Sequence, residues 1–361
     1  MNLQLKIRQF CRQSVQIKKR KYKNLNKAPW SNMTPTNIEG KPSKRLIIIL
    51  LAKGCEWAKK RGGPCTMCNF WIQHDERINA ENLIAQFKNE IKLHDFKKEG
   101  IEGINIFNAG SFLNVNEVPE KAQLEIIKAA SKLPIKKVLI ESRPEYVEEE
   151  KIKRLKRILG KKILEVGIGL ESSSKFIRET CINKGFNLAC FEKAARTLKE
   201  SNAQALVYVL VKPAFLNEKE AIVDAVKTAK YVFWFGKKIG LKTKVAFEPI
   251  LIKSPSLVYT LWKKRQYSRV WLWSVIEILK QVYNLGNIQV GISPEGMRWY
   301  EMPRNCKKCT KKVIGAIAKF NSVQDIGVFD TLDCECKEIW KQELKKKALQ
   351  LKKRVANFFK R

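Results

Sequence analysis

The chain has 361 residues, 45% of them hydrophobic, which suits one large α/β barrel with appendages or two ordinary domains. Its 71 Lys and Arg against 35 Asp and Glu give a net charge of +36, which calls for a polyanionic partner such as a phosphate backbone. A general lysine bias is the plain alternative, yet such drift raises Glu alongside Lys, and here the acids lag far behind. The longest aliphatic run, Leu46 to Ala52, is too short to cross a bilayer, and the basic stretch Met1 to Lys23 lacks the apolar segment of a secretory signal. A soluble protein of the reducing cytoplasm, with no membrane partner, is therefore expected.

Residues 1–44 read as a basic N-terminal arm, densest at Lys18-Lys19-Arg20-Lys21, and as an extension outside the core. Residues 45–293 alternate strand and helix patterns, the signature of βα units on a parallel sheet. Strands are predicted at Arg45–Ala52, Gly103–Asn108, Lys137–Glu141, Ile163–Leu170, Ala203–Val211, Lys244–Ile250 and Asn287–Ile292. Helices are predicted at Ala80–Phe96, Pro119–Lys132, Glu148–Leu159, Leu188–Glu200 and Glu218–Phe235, where apolar residues recur every three or four positions. The tryptophans 262, 271 and 273 read as core or domain packing. Residues 294–361 carry Cys306, Cys309, Cys334 and Cys336, followed by a basic tail helix from Glu338 to Arg361.

Six or seven such units fit a partial or complete (β/α) barrel, with a doubly wound open sheet as the competing topology. The barrel is favoured because a polar or glycine-rich cluster follows each of the first five strands, and barrels place their sites at the carboxyl ends of strands. The clusters are the cysteine loop Cys55 to Cys68, Asn108 to Ser111, Glu141 to Pro144, Glu171 to Ser174 and Lys212-Pro213.

Cys55, Cys65 and Cys68 supply three thiolates, where a 4Fe-4S cluster normally takes four; three leave one iron open to bind something else. The alternatives are a zinc site completed by His74 or His94, a disulfide, or buried apolar thiols. The C-terminal C-x2-C and C-x-C pairs have the count of a closed tetrahedral zinc site, with a second iron-sulfur cluster or unpaired thiols as alternatives. Cys11, Cys181 and Cys190 read as isolated thiols.

The glycine-rich triad Cys55, Cys65, Cys68 resembles the cluster loop of radical S-adenosylmethionine (SAM) enzymes, although the nine residues between the first two cysteines are more than most members have. The resemblance implies a 4Fe-4S cluster on these three residues and SAM on the fourth iron. It places Gly110 against the SAM amino group, Glu141 and Arg143 near its ribose or carboxylate, and Glu171 in the segment beside the adenine. Met67 stands where the family usually has an aromatic residue.

Gly-Cys-Glu-Trp, Gly-Gly-Pro-Cys-Thr-Met-Cys-Asn-Phe, Phe-Asn-Ala-Gly-Ser-Phe, Glu-Ser-Arg-Pro-Glu-Tyr and Leu-Val-Lys-Pro-Ala-Phe-Leu-Asn-Glu are more specific still. They resemble the Elongator catalytic-subunit-like branch, and within it the archaeosine synthase radical SAM subunit, from about Pro35 to Cys336. That implies a tRNA substrate carrying a lysine-modified 7-deazaguanine at position 15, a partner subunit that transfers the lysine, and a reductant of unknown identity. It further implies hydrogen abstraction from the lysine and cleavage of its carbon-nitrogen bond. Lys212 is a candidate substrate phosphate or carboxylate contact, and the arm and tail helix are candidates for gripping tRNA. The competing functions are another radical SAM tRNA modification and a non-enzymatic, metal-stabilised RNA-binding protein.

Overall fold

The computed structural model describes residues 2–13, 22–292 and 300–360, so the basic run Lys18 to Lys21 lies outside the described residues. Eight strands form one sheet in sequential order: β1 (Trp30–Ile38), β2 (Lys41–Ile49), β3 (Ile101–Phe107), β4 (Lys137–Ser142), β5 (Ile163–Glu171), β6 (Gln204–Val211), β7 (Thr243–Pro249) and β8 (Asn287–Val290). The first pair is antiparallel and every later neighbour is parallel. The helices are α1 (Leu3–Gln13), α2 (Ala80–Ile91), α3 (Phe96–Glu99), α4 (Glu120–Ser131), α5 (Glu149–Leu159), α6 (Leu188–Glu200), α7 (Glu218–Ile239), α8 (Leu257–Lys263), α9 (Leu272–Val282), α10 (Thr310–Val323), α11 (Cys336–Lys345) and α12 (Leu351–Phe358). The sheet curls into a half-barrel. The seven predicted strands are all present, with ends displaced by a few residues.

The part of 1–44 expected to be an extension is built into the body. Residues 30–38 pair along the whole of β2 through a two-residue turn, Glu39-Gly40, with φ of 51° and 84°, the left-handed pair that a tight hairpin needs. That strand was missed because WSNMTPTNI is polar and carries a proline, which only an edge strand tolerates. On α1, Ile7 and Cys11 are buried. Its Phe10 meets Phe358 of α12 edge to face at 5.4 Å, so the two ends of the chain pack together. The predicted tail helix is two helices, α11 and α12, parted at residues 346–350. The predicted helix 80–96 also divides, because the Asp95 side chain accepts from Lys98 N at 3.1 Å and starts the new turn α3.

Alternation along each strand sorts the residues into an outer, helix-covered face and a lumen. Leu46, Ile48, Ile104, Ile106, Val138, Ile140, Val166, Ile168, Val207 and Val209 belong to the large outer core. The lumen holds a small apolar belt, Leu139, Leu206 and Ala246, with Phe107 and Tyr208 against it. At the amino ends of the strands the lumen is charged: Lys137 meets Glu165 at 2.9 Å with both side chains buried, and burial pulls the neighbouring Lys244 down to about 8.

β1 and β8 do not pair with each other, so the barrel is open there, and α10 fills the gap. Asn321 accepts from Val290 N at 2.8 Å and donates to Val290 O at 2.9 Å, while Gln324 does the same for Ile288 at 2.9 and 2.8 Å. Two side-chain amides thus substitute for a further strand and cover an edge that would otherwise template association. Across the lumen Arg45 Nη1 donates to Gln289 Oε1 at 2.9 Å, joining β2 to β8. Asn321→Ala strips both partners from Val290, and urea denaturation should show a loss of about 1–3 kcal/mol.

Candidate cluster site at the barrel mouth

The loop from β2 to α2 carries the three cysteines across the carboxyl ends of the strands. Leu50 N donates to Phe107 O at 2.7 Å, extending β2 to the mouth, and Gly54, at φ 80°, turns the chain into Cys55. A Cβ on Gly54 would lie 2.7 Å from His74 Cβ, so only glycine fits. A π-helical turn, Trp57–Arg61, follows, and such turns recur at functional sites. Cys68 N closes on Cys65 O at 3.0 Å. Burial pushes Cys55 up to about 12 and Cys68 up to about 11, and raises Cys65, so without a cation to stabilise thiolate these thiols stay protonated.

The long insert is held by residues from other units. Asn183, fully buried at φ 58°, points its Nδ2 at three successive carbonyls, Gly62 O at 3.1 Å, Gly63 O at 3.4 Å and Pro64 O at 3.0 Å. Its own carbonyl accepts from Trp57 Nε1 at 3.1 Å. Thr66 N donates to Ile182 O at 2.9 Å and Thr66 Oγ1 to Cys181 O at 2.7 Å. The indole of Trp57 lies against Gly62 and Gly185, where any Cβ would fall within 2.2 Å and 2.0 Å of the ring. From the other side, α1 places its backbone 2.9 Å from where a Cβ on Gly63 would stand, and Arg8 covers Trp57 at 5.3 Å.

A second brace fixes the Cys55 end. The buried carboxylate of Glu117 accepts from Glu56 N at 2.9 Å, Ser111 N at 2.5 Å and Asn114 Nδ2 at 3.0 Å. Glu56 Oε2 in turn accepts from Asn114 Nδ2 at 2.8 Å and Tyr146 OH at 3.3 Å. One network therefore couples the cysteine loop to the ends of β3 and β4. Asn183, Glu56 and Glu117 were not picked out from the sequence. Glu56 lies inside the quoted Gly-Cys-Glu-Trp motif, whereas Asn183 offers no signal beyond standing in a loop.

Gly110 stands directly against the site: a Cβ there would be 3.3 Å from Cys55 Cα and 1.9 Å from Glu117 Oε2. Arg143 is buried at the end of β4, donating from Nε to Glu145 at 2.6 Å and from Nη2 to Lys184 O at 2.8 Å, with its guanidinium 4.8 Å from the Trp57 ring. Its fork is thus largely engaged within the protein. Glu171, at φ 67°, forms a 2.7 Å ion pair with Lys184 beside Gly169. Lys212 does not face the mouth. It is buried in a 2.6 Å ion pair with Glu218, with Ser268 Oγ at 2.8 Å, which removes it as a substrate contact. In the upper lumen burial raises Glu141 to about 7, and burial with repulsion from Glu171 and Glu141 raises Glu248 to about 8.

The other four cysteines form a different kind of group. Among the described residues, Cys306, Cys309, Cys334 and Cys336 are the set whose ligand atoms all lie within 4.8 Å of one another. Their sulfurs are 3.5 to 3.7 Å apart along three contacts, and Trp273 Nε1 donates to Cys336 Sγ at 3.3 Å. The mouth cysteines are not gathered at that single-ion spacing, and neither His74 nor His94 joins them in such a group. His94 pairs with Glu99 at 3.1 Å, and His74 Nδ1 lies 2.5 Å from Trp71 O. All ten cysteines are free of disulfides.

The chain is thus a curled, largely parallel half-barrel with three cysteines on the loop after β2. No protein-family model matches the chain. It is 34% identical over 320 residues to archaeosine synthase subunit beta of Methanosarcina acetivorans, covering 88% of this chain and 90% of that protein. It is 31% identical to the protein of the same name from Thermococcus kodakarensis, over 84% of this chain and 93% of the relative. An uncharacterized protein of Methanocaldococcus jannaschii is 35% identical over 90% of this chain and 88% of its own length. The chain belongs to the archaeosine synthase subunit beta family. Among solved structures, an N-terminally truncated Methanocaldococcus infernus Elp3 superposes with a TM-score of 0.45 at 16% identity, over 66% of this chain and 59% of that one. An endo-beta-1,4-mannanase of Thermotoga petrophila scores 0.41 at 13% identity, over 70% of this chain and 64% of that one.

Asn183→Asp keeps the side-chain size and tolerates the positive φ, but removes the donor to the three carbonyls. After anaerobic reconstitution with iron and sulfide, the variant is expected to release iron to a chelator roughly tenfold faster than the parent, with an unchanged far-UV circular dichroism spectrum.

Proposed function

We propose that this protein is a radical SAM tRNA-modifying enzyme that converts a lysine-adducted 7-deazaguanine at position 15 of tRNA to archaeosine. Similarity at 34% and 31% identity, over 88% and 84% of this chain, to two proteins named archaeosine synthase subunit beta supports this reading. Their name implies a partner subunit, which would install the lysine, and the +36 charge suits a tRNA substrate.

Cys55, Cys65 and Cys68 fit a 4Fe-4S cluster in the chemistry of their donor set: three free thiols on one braced loop, with no fourth cysteine on that loop. Held by Cys55, Cys65 and Cys68, such a cluster would pass one electron from an external reductant to SAM and so supply its reductive cleavage to methionine and a 5′-deoxyadenosyl group. Gly110 is the proposed point of backbone contact to the SAM amino group. Arg143 acts chiefly by ordering Trp57 and the turn at Lys184, and Glu171 holds Lys184 at the rim. Glu141 and Glu248 in the lumen suit the cationic amidinium of the adduct, whose charge would draw the protons off two carboxyl groups that burial holds protonated. The reaction would move one hydrogen atom from the lysine carbon bonded to the amidine nitrogen to the 5′-deoxyadenosyl group; the cluster would take back one electron, and the carbon-nitrogen bond would break with the nitrogen kept in the amidine and the lysine carbons leaving as an imine or, after addition of water, an aldehyde.

The C-terminal cysteines are assigned to a structural Zn²⁺. Tetrahedral bonds of about 2.3 Å separate sulfurs by about 3.8 Å, close to the observed spacing and too tight for a multi-iron cluster.

Incubating the reconstituted protein with SAM, dithionite and tRNA bearing the lysine adduct should yield archaeosine by nucleoside mass spectrometry. Formation of 5′-deoxyadenosine with unaltered tRNA would refute the archaeosine step and leave the class. Cys334→Ser should lower bound zinc well below one ion per chain and destabilise α10 and α11, as read by metal analysis and limited proteolysis.

A further inference from the structure

The rim of the mouth carries an aromatic surface that the chemistry above does not use. After β7 the chain reaches α8, whose first turn docks on the cysteine loop: Val258 N donates to Thr66 O at 3.1 Å, and Asn69 Nδ2 donates to Ser254 O at 3.4 Å. From α8 project Tyr259 and Trp262, with ring centroids 5.7 Å apart, and Trp262 stacks on Tyr300 at 5.2 Å with 8° between planes. Lys263, exposed, holds its ammonium 5.9 Å from both the Tyr259 and Trp262 rings, and exposed Lys264 and Arg265 follow it. On the adjoining loop Phe70, two residues beyond Cys68, leaves 50% of its surface in water.

Phe70 is exposed on the cysteine loop, and on the segment docked to that loop Tyr259, Trp262 and Tyr300 are only half-buried, leaving part of each ring in water beside the exposed cations. Unpaired nucleobases offer π-faces to such a surface while their phosphates meet the lysines. A modified base can reach the lumen only after leaving its own stack, and the rim is where its displaced neighbours would need replacement stacking. The patch joins basic and aromatic groups, and the charge complementarity selects RNA over an apolar peptide.

We propose that Phe70 together with Tyr259, Trp262 and Tyr300 forms a stacking platform for unpaired bases of the RNA substrate at the barrel mouth, with Lys263 contacting phosphate. The proposal rests on the tRNA reading above. Its test is the dissociation constant for unmodified tRNA across a series of salt concentrations, using the full, metal-loaded chain. Phe70→Ala should weaken binding about fivefold or more without changing the slope of log K against log salt, since stacking releases no counterions. Phe70→Trp should restore binding, and Lys263→Ala should make the slope shallower by about one. Parent protein that fails to bind tRNA would overturn the tRNA reading and the platform together. Parent that binds, with Phe70→Ala unaltered or Phe70→Trp as weak as Phe70→Ala, would overturn the platform alone. Iron content of each variant excludes collapse of the neighbouring loop, and if Phe70→Ala loses iron, Phe70→Trp and Lys263→Ala still decide.

Discussion

Of the nine residues between Cys55 and Cys65, Trp57–Arg61 form a π-helical turn, while Gly62, Gly63 and Pro64 depend on the rest of the protein for their shape. Freed loops pay conformational entropy at every residue they order. At the centre of what orders this one is an amide, Asn183 Nδ2, set among the carbonyls of Gly62, Gly63 and Pro64, with Trp57 wedged where Gly62 and Gly185 leave room for its ring and Glu117 and Thr66 bracing the two ends. That contact joins the first βα loop to the loop after β5, and much else leans on it. Arg143 packs on Trp57, α1 packs on Gly63, and α12 packs on α1 through Phe10 and Phe358. The unusual insert is thereby made part of a rigid mouth, as a site needing exact ligand placement requires.

The lumen is stratified by charge. A charged floor of Lys137, Glu165, Lys244 and Arg45 lies beneath the apolar belt of Leu139, Leu206 and Ala246, and carboxylates stand near the top. The floor closes the amino end with paired groups, whereas Glu248 has like charges as its nearest electrostatic neighbours. A protein with a large positive excess has thus kept ionisable carboxyl groups in the upper lumen, which burial holds largely protonated until a cation enters.

Much of this was legible in the sequence because it obeys local rules. The seven parallel strands announce themselves as short apolar runs, and the strand-end clusters share one register. The parts that were hidden depend on contacts between distant segments. β1 reads as polar arm because it is an edge strand with one wetted face, and α1 reads as arm because only Ile7 and Cys11 of its face are fully covered. The amides of Asn321 and Gln324 carry no sign that they will finish a sheet. Lys212 stands at a strand end like the true mouth residues, but Glu218, six positions on at the start of α7, turns it inward. Arg143 and Glu171 likewise proved to be engaged by Glu145 and Lys184, partners that spacing alone could not supply.

The central claim is that one chain holds an open cluster at the mouth and a closed ion at the C-terminus. Electron paramagnetic resonance of the dithionite-reduced, reconstituted protein tests it directly, with spectra taken before and after SAM is added. The account predicts a reduced 4Fe-4S signal that shifts with SAM, is lost in Cys65→Ala and persists in Cys334→Ser. A signal that ignores SAM, or one that disappears with Cys334 and survives without Cys65, would contradict it.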